Sequence, residues 1–267
     1  MLPAIMKNAV KVKLVLFCAG LVIFLGSCQK QLHFDRAEEK DHNLVVNFKA
    51  IVDTADLLFG TEYRNVFKEP YKVSAFKFYI HAIQMINTDS GKVFELPKDK
   101  YYLVNFADSA STQIKIGVQP YKYNRIAFTL GVDSASNVSG AQADALDPGK
   151  GMFWTWNTGY IMAKLEGTSP LASTPNHAFE YHIGGFKTGE NVVEKVTLLF
   201  PFTTEIDLKP GKTTDISVSA DVNTWFHNPH DIMISTNPTC MTPGTLAVQI
   251  AENYRKMFTV VDIVNEP

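Results

Sequence analysis

The residues of this chain best suited to chemistry are histidines, and two of them form a closely spaced pair. His227 and His230 lie in the segment WFHNPHD, where the intervening proline predicts a turn in which both imidazole rings converge. Met233, Cys240 and Met241 follow in the segment IMISTNPTCMTP. Imidazole and sulfur donors together favour Cu(I), whereas core packing is the alternative role of the sulfur residues. The segment therefore predicts either a transition-metal site or a packed turn.

Three further candidate metal ligands lie in separate segments. His182, in FEYHIGG, is on the polar side of a predicted strand and is either a ligand or a sheet-edge histidine. His177 precedes it in the loop STPNHAF, which would have to fold back to reach the same metal. His81 alternates with Lys77 and Tyr79 on a second predicted strand, where it is either a ligand or an ordinary surface residue.

The segment GMFWTWNTGY, residues 151–160, has an unusual concentration of aromatic residues. If it forms a strand, Trp154 and Trp156 share one face. Both indoles then either fill a sandwich core, where each buries roughly 150–250 Å², or shape a ligand pocket or a site of oxidation. Trp225, beside the histidine pair, is a third candidate for oxidation.

The elements that must position these residues are mostly strands. Val46, Phe48 and Ala50 alternate with Asn47 and Lys49, a period typical of a half-buried strand. Similar short runs, separated by Gly, Pro, Asn and Asp clusters, are FKFYIHA near 76, YYLVNF at 101, TQIKIGV at 112, YNRIAFTLGV at 123, GYIMAKLEG at 159, FEYHIG at 179, KVTLLF at 195 and TDISVSADV at 214. The pattern predicts an all-β fold, an antiparallel β-sandwich.

One C-terminal segment has helical rather than strand periodicity. Thr242 and Pro243 suit an N-cap and a first helical position, and Leu246, Ile250 and Tyr254 then fall on one face. We expect a helix over about 243–257 followed by a last strand, VVDIV. No linker interrupts residues 44–267, which are predicted to form one domain.

The N-terminus has the features of a lipoprotein signal. An apolar run of secretory length ends at Leu25-Gly26-Ser27-Cys28, which resembles a lipobox, so residues 1–27 are predicted to be a signal peptide and Cys28 a lipidated cysteine. The charged residues 28–43 are predicted to be a tether. Membrane contact is therefore expected through the lipid, at the outer membrane or in the periplasm.

Composition excludes several functional classes. The chain has 267 residues with 25 Lys and Arg against 27 Asp and Glu, a net charge of −2, so a nucleic-acid partner is not expected. Three cysteines cannot form a disulfide framework or a four-cysteine zinc site. Sequence motifs of hydrolases, metalloproteases and nucleotide-binding enzymes are absent from the sequence, and we predict that the protein is not an enzyme.

Several segments together resemble the MbnP family, which is related to the CorA-type surface copper proteins of methanotrophs. They are FKFYIHAIQM, FTLGVD, GMFWTWNTGYIMAKLEG, FEYHIGG and AENYRKMF, and they occur in the family's order over most of residues 44–264. The Gly-Met-aromatic-Trp-x-Trp-x-x-Gly-Tyr block is the most specific of these elements.

The resemblance implies a β-sandwich protein of the Gram-negative envelope that binds copper through histidine imidazoles. In some members of the family a tryptophan is oxidised to kynurenine by a partner di-haem MauG-like peroxidase. The function expected from the sequence is copper acquisition or sequestration. The alternative is a non-catalytic surface interaction or adhesion module without a metal.

Overall fold

A computed structural model describes residues 43–156, 159–201 and 205–265. The predicted signal peptide, Cys28 and all of the predicted tether except Asn43 lie outside the described residues. The strands are β1 (Leu44–Val52), β2 (Ala55–Asp56), β3 (Glu62–Arg64), β4 (Pro70–Asn87), β5 (Lys92–Glu95), β6 (Tyr102–Asn105), β7 (Gln113–Ile116), β8 (Lys122–Tyr123), β9 (Arg125–Leu130), β10 (Phe153–Trp154), β11 (Gly159–Tyr160), β12 (Ala163–Thr168), β13 (Ala178–Ile183), β14 (Glu194–Leu199), β15 (Ile206–Asp207), β16 (Thr214–Asp221), β17 (Thr239–Cys240) and β18 (Phe258–Asn265). Two α-helices accompany them, α1 (Ser134–Val138) and α2 (Thr245–Tyr254).

Two large sheets form the sandwich. One sheet has the order β18-β16-β1-β2, with β7 also paired to β1. The other has the order β14-β9-β4-β12-β13-β17, with β3, β5 and β6 also paired to β4. The all-β sandwich with a C-terminal helix is confirmed, but the sheets are not purely antiparallel, since β1 pairs with β16 and β13 with β17 in parallel. Parallel pairing needs a long connection between strands, and both pairs have one.

Aromatic rings join the two sheets across the core. The ring of Phe48 on β1 lies 5.7 Å from that of Phe78 on β4 and 6.0 Å from that of Phe128 on β9, centroid to centroid. Phe258 on β18 also contacts Phe48, at 6.1 Å, with a nearly perpendicular ring. Full burial of each such side chain contributes about 1.5–3 kcal/mol, and edge-to-face geometry adds about 0.5–1.5 kcal/mol per pair.

The central strand β4 spans 18 residues and carries neighbours on both edges. Phe78 pairs with both β12 and β6, and Ile80 pairs with both β9 and β6. Strands β12 and β9 must therefore share the edge of β4 that lies opposite β6, one along its first half and the other along its second half.

The chain leaves this shared edge and returns to it at a single residue. The amide of Gly131 donates to the carbonyl of Tyr79, at 2.8 Å, and the amide of Tyr79 donates to the carbonyl of Met162, at 3.0 Å. Residues 131–162, here called the excursion, are thus anchored at the junction between β9 and β12. The excursion contains α1 and the short β10-β11 hairpin.

Helix α2 confirms the predicted C-terminal helix but is shorter than expected. It begins after Gly244, whose φ of +145° is outside the helical region and which makes no side-chain cap, so the predicted cap at Thr242 and Pro243 is wrong. Its buried face includes Ile250 and Tyr254, as the periodicity predicted. Among the described residues no helix is long and apolar enough to cross a membrane.

A buried carboxylate fixes the loop that follows the histidine pair. Glu69 is 4% exposed and accepts hydrogen bonds from the amides of Ile234 (2.8 Å) and Ser235 (2.9 Å) and from the side chain of Asn65 (2.7 Å). Burial alone would raise the pKa of Glu69, but hydrogen bonds from Ser235 and Asn65 outweigh it and lower that pKa. The ionised carboxylate therefore ties the β3-β4 turn to the segment after residue 230.

Candidate metal centre

The excursion covers the outer face of β4, the face directed away from the inter-sheet core. Tyr79 is fully buried and its ring lies 5.9 Å from that of Tyr160 on the excursion. The amide of Tyr160 donates to the side chain of Asn137 at 2.8 Å, and the hydroxyl of Tyr160 donates to the carbonyl of Leu146 at 2.9 Å. These bonds make the excursion a second packed layer on the sheet.

His81 on the same face is also buried, so its interpretation as a surface residue is wrong. It is 5% exposed, and its Nδ1 lies 3.0 Å from the carbonyl oxygen of Lys98. A carbonyl can only accept, so Nδ1 carries the ring proton and Nε2 has the lone pair. That Nε2 is buried and has no hydrogen-bond partner among the described residues. Burial lowers the pKa of His81, against the opposing effects of Lys98 and Asp133.

The ring of Tyr101 stacks against that of His81, with centroids 4.7 Å apart. The hydroxyl of Tyr101 donates to Asp133 at 2.5 Å, and Asp133 caps α1 by accepting from the amide of Ser136 at 2.8 Å. The first turn of the excursion is thereby fixed against the strand that carries His81.

The two tryptophans of the aromatic block are in contact, but they do not share a strand face. Strand β10 ends at Trp154, which is 4% exposed, whereas Trp156 lies in the following turn and is 62% exposed. Their ring centroids are 5.7 Å apart. A Cβ atom added at Gly184 would lie 2.6 Å from the Trp154 ring, so this glycine makes room for the indole. Trp154 is therefore packed in the protein interior, as the first interpretation of the block predicted, whereas Trp156 is accessible to solvent.

His182 forms an ionic cluster on the outer face of β12 and β13. Its Nε2 lies 2.7 Å from Oε1 of Glu166, and Nζ of Lys164 lies 3.3 Å from the same oxygen. The hydrogen bond from His182 is the largest cause that lowers the pKa of Glu166 to about 2. Glu166 is therefore ionised at neutral pH and accepts, so Nε2 donates and the neutral ring has its lone pair on Nδ1.

The histidine pair lies in a turn, as predicted, but each ring is held by a different carboxylate. Nδ1 of His227 lies 2.6 Å from Asp231, and Nε2 of His230 contacts Glu252. Asn253, which is fully buried, accepts from the amide of His230 at 2.9 Å and donates to its carbonyl at 2.7 Å. The turn is therefore fixed from helix α2.

The remaining candidate ligands lie apart from one another. His177 is exposed, and its Nδ1 contacts the carbonyl of Ala172 at 3.1 Å. Cys240 is buried on β17, where desolvation raises the pKa of its thiol to about 11, so it is protonated at neutral pH. Met241 is half-buried and Met233 is partly exposed. Trp225 is fully buried.

Each of the five histidines has one ring nitrogen bonded to an oxygen acceptor, which is the arrangement that orients a metal-binding imidazole. They do not form a site of three or more ligands, however: in the described ranges no group of three or more His, Cys, Asp or Glu side chains is placed to hold a metal ion. Sequence reasoning found the imidazoles but missed their acceptors. Asp231, four residues after His227, was recognisable by spacing, whereas Glu166 follows only from the β12-β13 register.

Comparison with known proteins gives one family. A sequence profile described as MbnP matches residues 41–242, a range that includes the five candidate histidine ligands and the tryptophan block. Among solved structures, MbnP from Methylosinus trichosporium matches with 14% sequence identity over 84% of this chain and 98% of that chain, with a TM-score of 0.47. No curated protein matches.

The lowered pKa of His81 predicts a pH-dependent stability. The unfolded histidine takes up a proton as the pH falls below about 6.5, whereas the folded, buried ring resists it. The contribution of His81 to the free energy of unfolding is therefore fully present above this pH and is lost as the pH falls towards the folded pKa. The loss is about 1.4 kcal/mol for each pH unit by which folding lowers that pKa.

His81→Phe should lose less unfolding free energy than the natural chain between about pH 7.5 and about pH 5.5, measured by urea denaturation. His177→Phe, at an exposed histidine, is the matched control and should behave as the natural chain does. An equal loss of unfolding free energy in the natural chain and in His81→Phe would refute the lowered pKa of His81.

Proposed function

This chain belongs to the MbnP family, and on that basis we propose that it is a lipid-anchored copper-binding protein of the cell envelope. The family relationship indicates a copper-related protein, and the profile match over residues 41–242 is the observation that carries the proposal. The proposed role is acquisition or sequestration of copper rather than catalysis.

Among the candidate ligands, we propose His227 and His230 as the copper-binding pair. Both lie on one short turn, and their side chains are 51% and 31% exposed. The carboxylates of Asp231 and Glu252 occupy one nitrogen of each ring, which leaves Nε2 of His227 and Nδ1 of His230 as lone-pair donors. Two imidazole donors suit Cu(I), which accepts a low coordination number.

The ligand chemistry fits copper at this low coordination number, because the described residues place no third His, Cys, Asp or Glu side chain to complete a site with the pair. His81 and His182 are buried in other parts of the fold, and His177 lies in a separate exposed loop. When bound, copper would be held as cargo by the turn, and the carboxylates would orient the rings.

Copper loading tests this proposal. The purified full chain, titrated with Cu(I) against a competing chelator, should bind one equivalent, and the double variant His227→Ala/His230→Ala should bind at least about tenfold more weakly, a loss of about 1.4 kcal/mol. His177→Ala should bind as the natural chain does. Binding no tighter than that of the denatured chain would refute the copper proposal.

The proposed membrane anchor is a diacylglycerol carried on the thiol of Cys28. Cells producing the natural chain and supplied with labelled palmitate should show label in the protein, and the protein should fractionate with membranes. Cys28→Ala should lack the label, with Cys240→Ala as the matched cysteine control. Equal labelling of Cys28→Ala would rule out this anchor.

The proposed site of tryptophan oxidation is Trp156, by a partner di-haem MauG-like peroxidase. Trp156 is exposed to a partner, whereas Trp154 is covered by the excursion and by Gly184. Peptide mass mapping of protein from its native source should find kynurenine at residue 156. Unmodified tryptophan at residues 154 and 156 would overturn the proposal, and kynurenine at residue 154 would show that Trp154 is the oxidised residue instead.

A surface interaction module without a metal is the second candidate function. It is favoured by the exposure of Trp156 and Val138, two apolar side chains on the excursion with 62% and 72% of their surface accessible. The Cu(I) titration distinguishes the two candidates. Binding tighter than that of the denatured chain supports the copper-binding protein, and its absence leaves the interaction module.

A further inference from the structure

A cleft lies between the excursion and the sheet, and no histidine is among its lining residues. It has a volume of about 440 Å³ and is lined by β6, the start of β7 and residues 145–150 of the excursion. This volume lies in the range of small-molecule sites. Its polar lining includes the ammonium-bearing Lys77 and Lys150 together with Asn105, Ser111 and Gln113.

Lys77 is half-buried in this cleft without a carboxylate partner. Its Nζ donates to the carbonyl of Lys150 at 3.2 Å. No Asp or Glu oxygen of the described residues lies within 4.0 Å of the ammonium groups of Lys77 or Lys150. Two cationic groups thus line the cleft without a carboxylate in ion-pair contact.

The neighbouring strand adds positive charge rather than relieving it. Lys164 lies directly opposite Lys77 in the β4-β12 register. The carboxylate of Glu166 acts in the opposite direction on the pKa of Lys77, but it is already bonded to Lys164 and His182. Desolvation, then the charge of Lys164, lowers the pKa of Lys77.

The one carboxylate in the cleft lining serves the backbone. Asp108 lines the cleft, but its Oδ1 accepts from the amide of Ala110 at 3.1 Å and caps the 3-10 turn Ser109–Thr112. Its remaining charge offsets at most one of the two ammonium groups.

We propose that this cleft binds a phosphate monoester, with its phosphate between Lys77 and Lys150 and its organic part beside Tyr101 and Leu103. A phosphate monoester carries about −1.5 to −2 charges at neutral pH, which matches two lysines better than a single carboxylate does. Lysine acts on phosphate as a point charge with several donors. The bound anion would also relieve the repulsion among the lysines.

Calorimetric titration of the full chain with phenyl phosphate tests the site. We expect saturable binding with one ligand per chain, and a dissociation constant at least about tenfold higher in Lys77→Met and in Lys150→Met. Lys72→Met removes an exposed lysine from the same strand and should leave binding unchanged. No saturable binding, or an equal effect of Lys72→Met, would overturn the proposal.

Two further measurements test whether the ligand contacts Lys77 and which kind of phosphate ester it is. After the lysines are methylated with a carbon-13 label, NMR titration should show that phenyl phosphate raises the pKa of Lys77 and that phenol does not. Dihexanoyl phosphatidic acid, a monomeric lipid phosphate, shows whether the phosphate belongs to a lipid or to a soluble ester. Lys77-dependent binding of this lipid without binding of phenyl phosphate indicates a lipid headgroup. Binding of phenyl phosphate as well indicates a soluble ester. The test uses no copper, so it fails or succeeds independently of the proposed function.

Discussion

The backbone of Tyr79 is the point on which much of the structure depends. Its amide and carbonyl are both bonded to the ends of the excursion, at Met162 and Gly131, where β12 and β9 meet along one edge of β4. Buried backbone polar groups must be paired, so the junction can close only if the chain leaves and returns there. The excursion then covers the outer face of the sheet. That cover packs Tyr160 against Tyr79 and forms one wall of the lysine-lined cleft.

Much of the fold was predictable from local pattern, because strands with one solvent face alternate in sequence. The strands around Phe48, Phe128 and Val196 follow their alternation. The role of the outer face was not predictable, because Lys77 and His81 alternate as surface residues do, while the loop before β6 and the excursion, which cover this face, lie elsewhere in the sequence. The same holds for the parallel β1-β16 pairing, which no local signal specifies.

The candidate site was predictable in its chemistry but not in its geometry. The imidazoles could be recognised by residue type. The hydrogen-bond acceptor of each ring, however, decides which of its nitrogens is left to bind a metal. His182 and Glu166 are brought together by the register of β12 and β13, and His230 and Glu252 by the packing of α2. The two kinds of position therefore differ: the ring of His182 is enclosed in an ionic cluster, whereas that of His227 retains access to solvent.

The pairing of β1 with β16 also constrains how the chain reaches its native state. Leu44 pairs with Thr214, so the first strand after the N-terminal region completes its hydrogen bonds only with a strand near the opposite end. Strands β2 and β7 can pair with β1 earlier, but the other edge of β1 stays open until β16 is available. Non-local contacts of this kind slow folding and expose strand edges to aggregation. In a chain with this topology, the sheet that contains β1 stays incomplete until β16 has emerged from the ribosome.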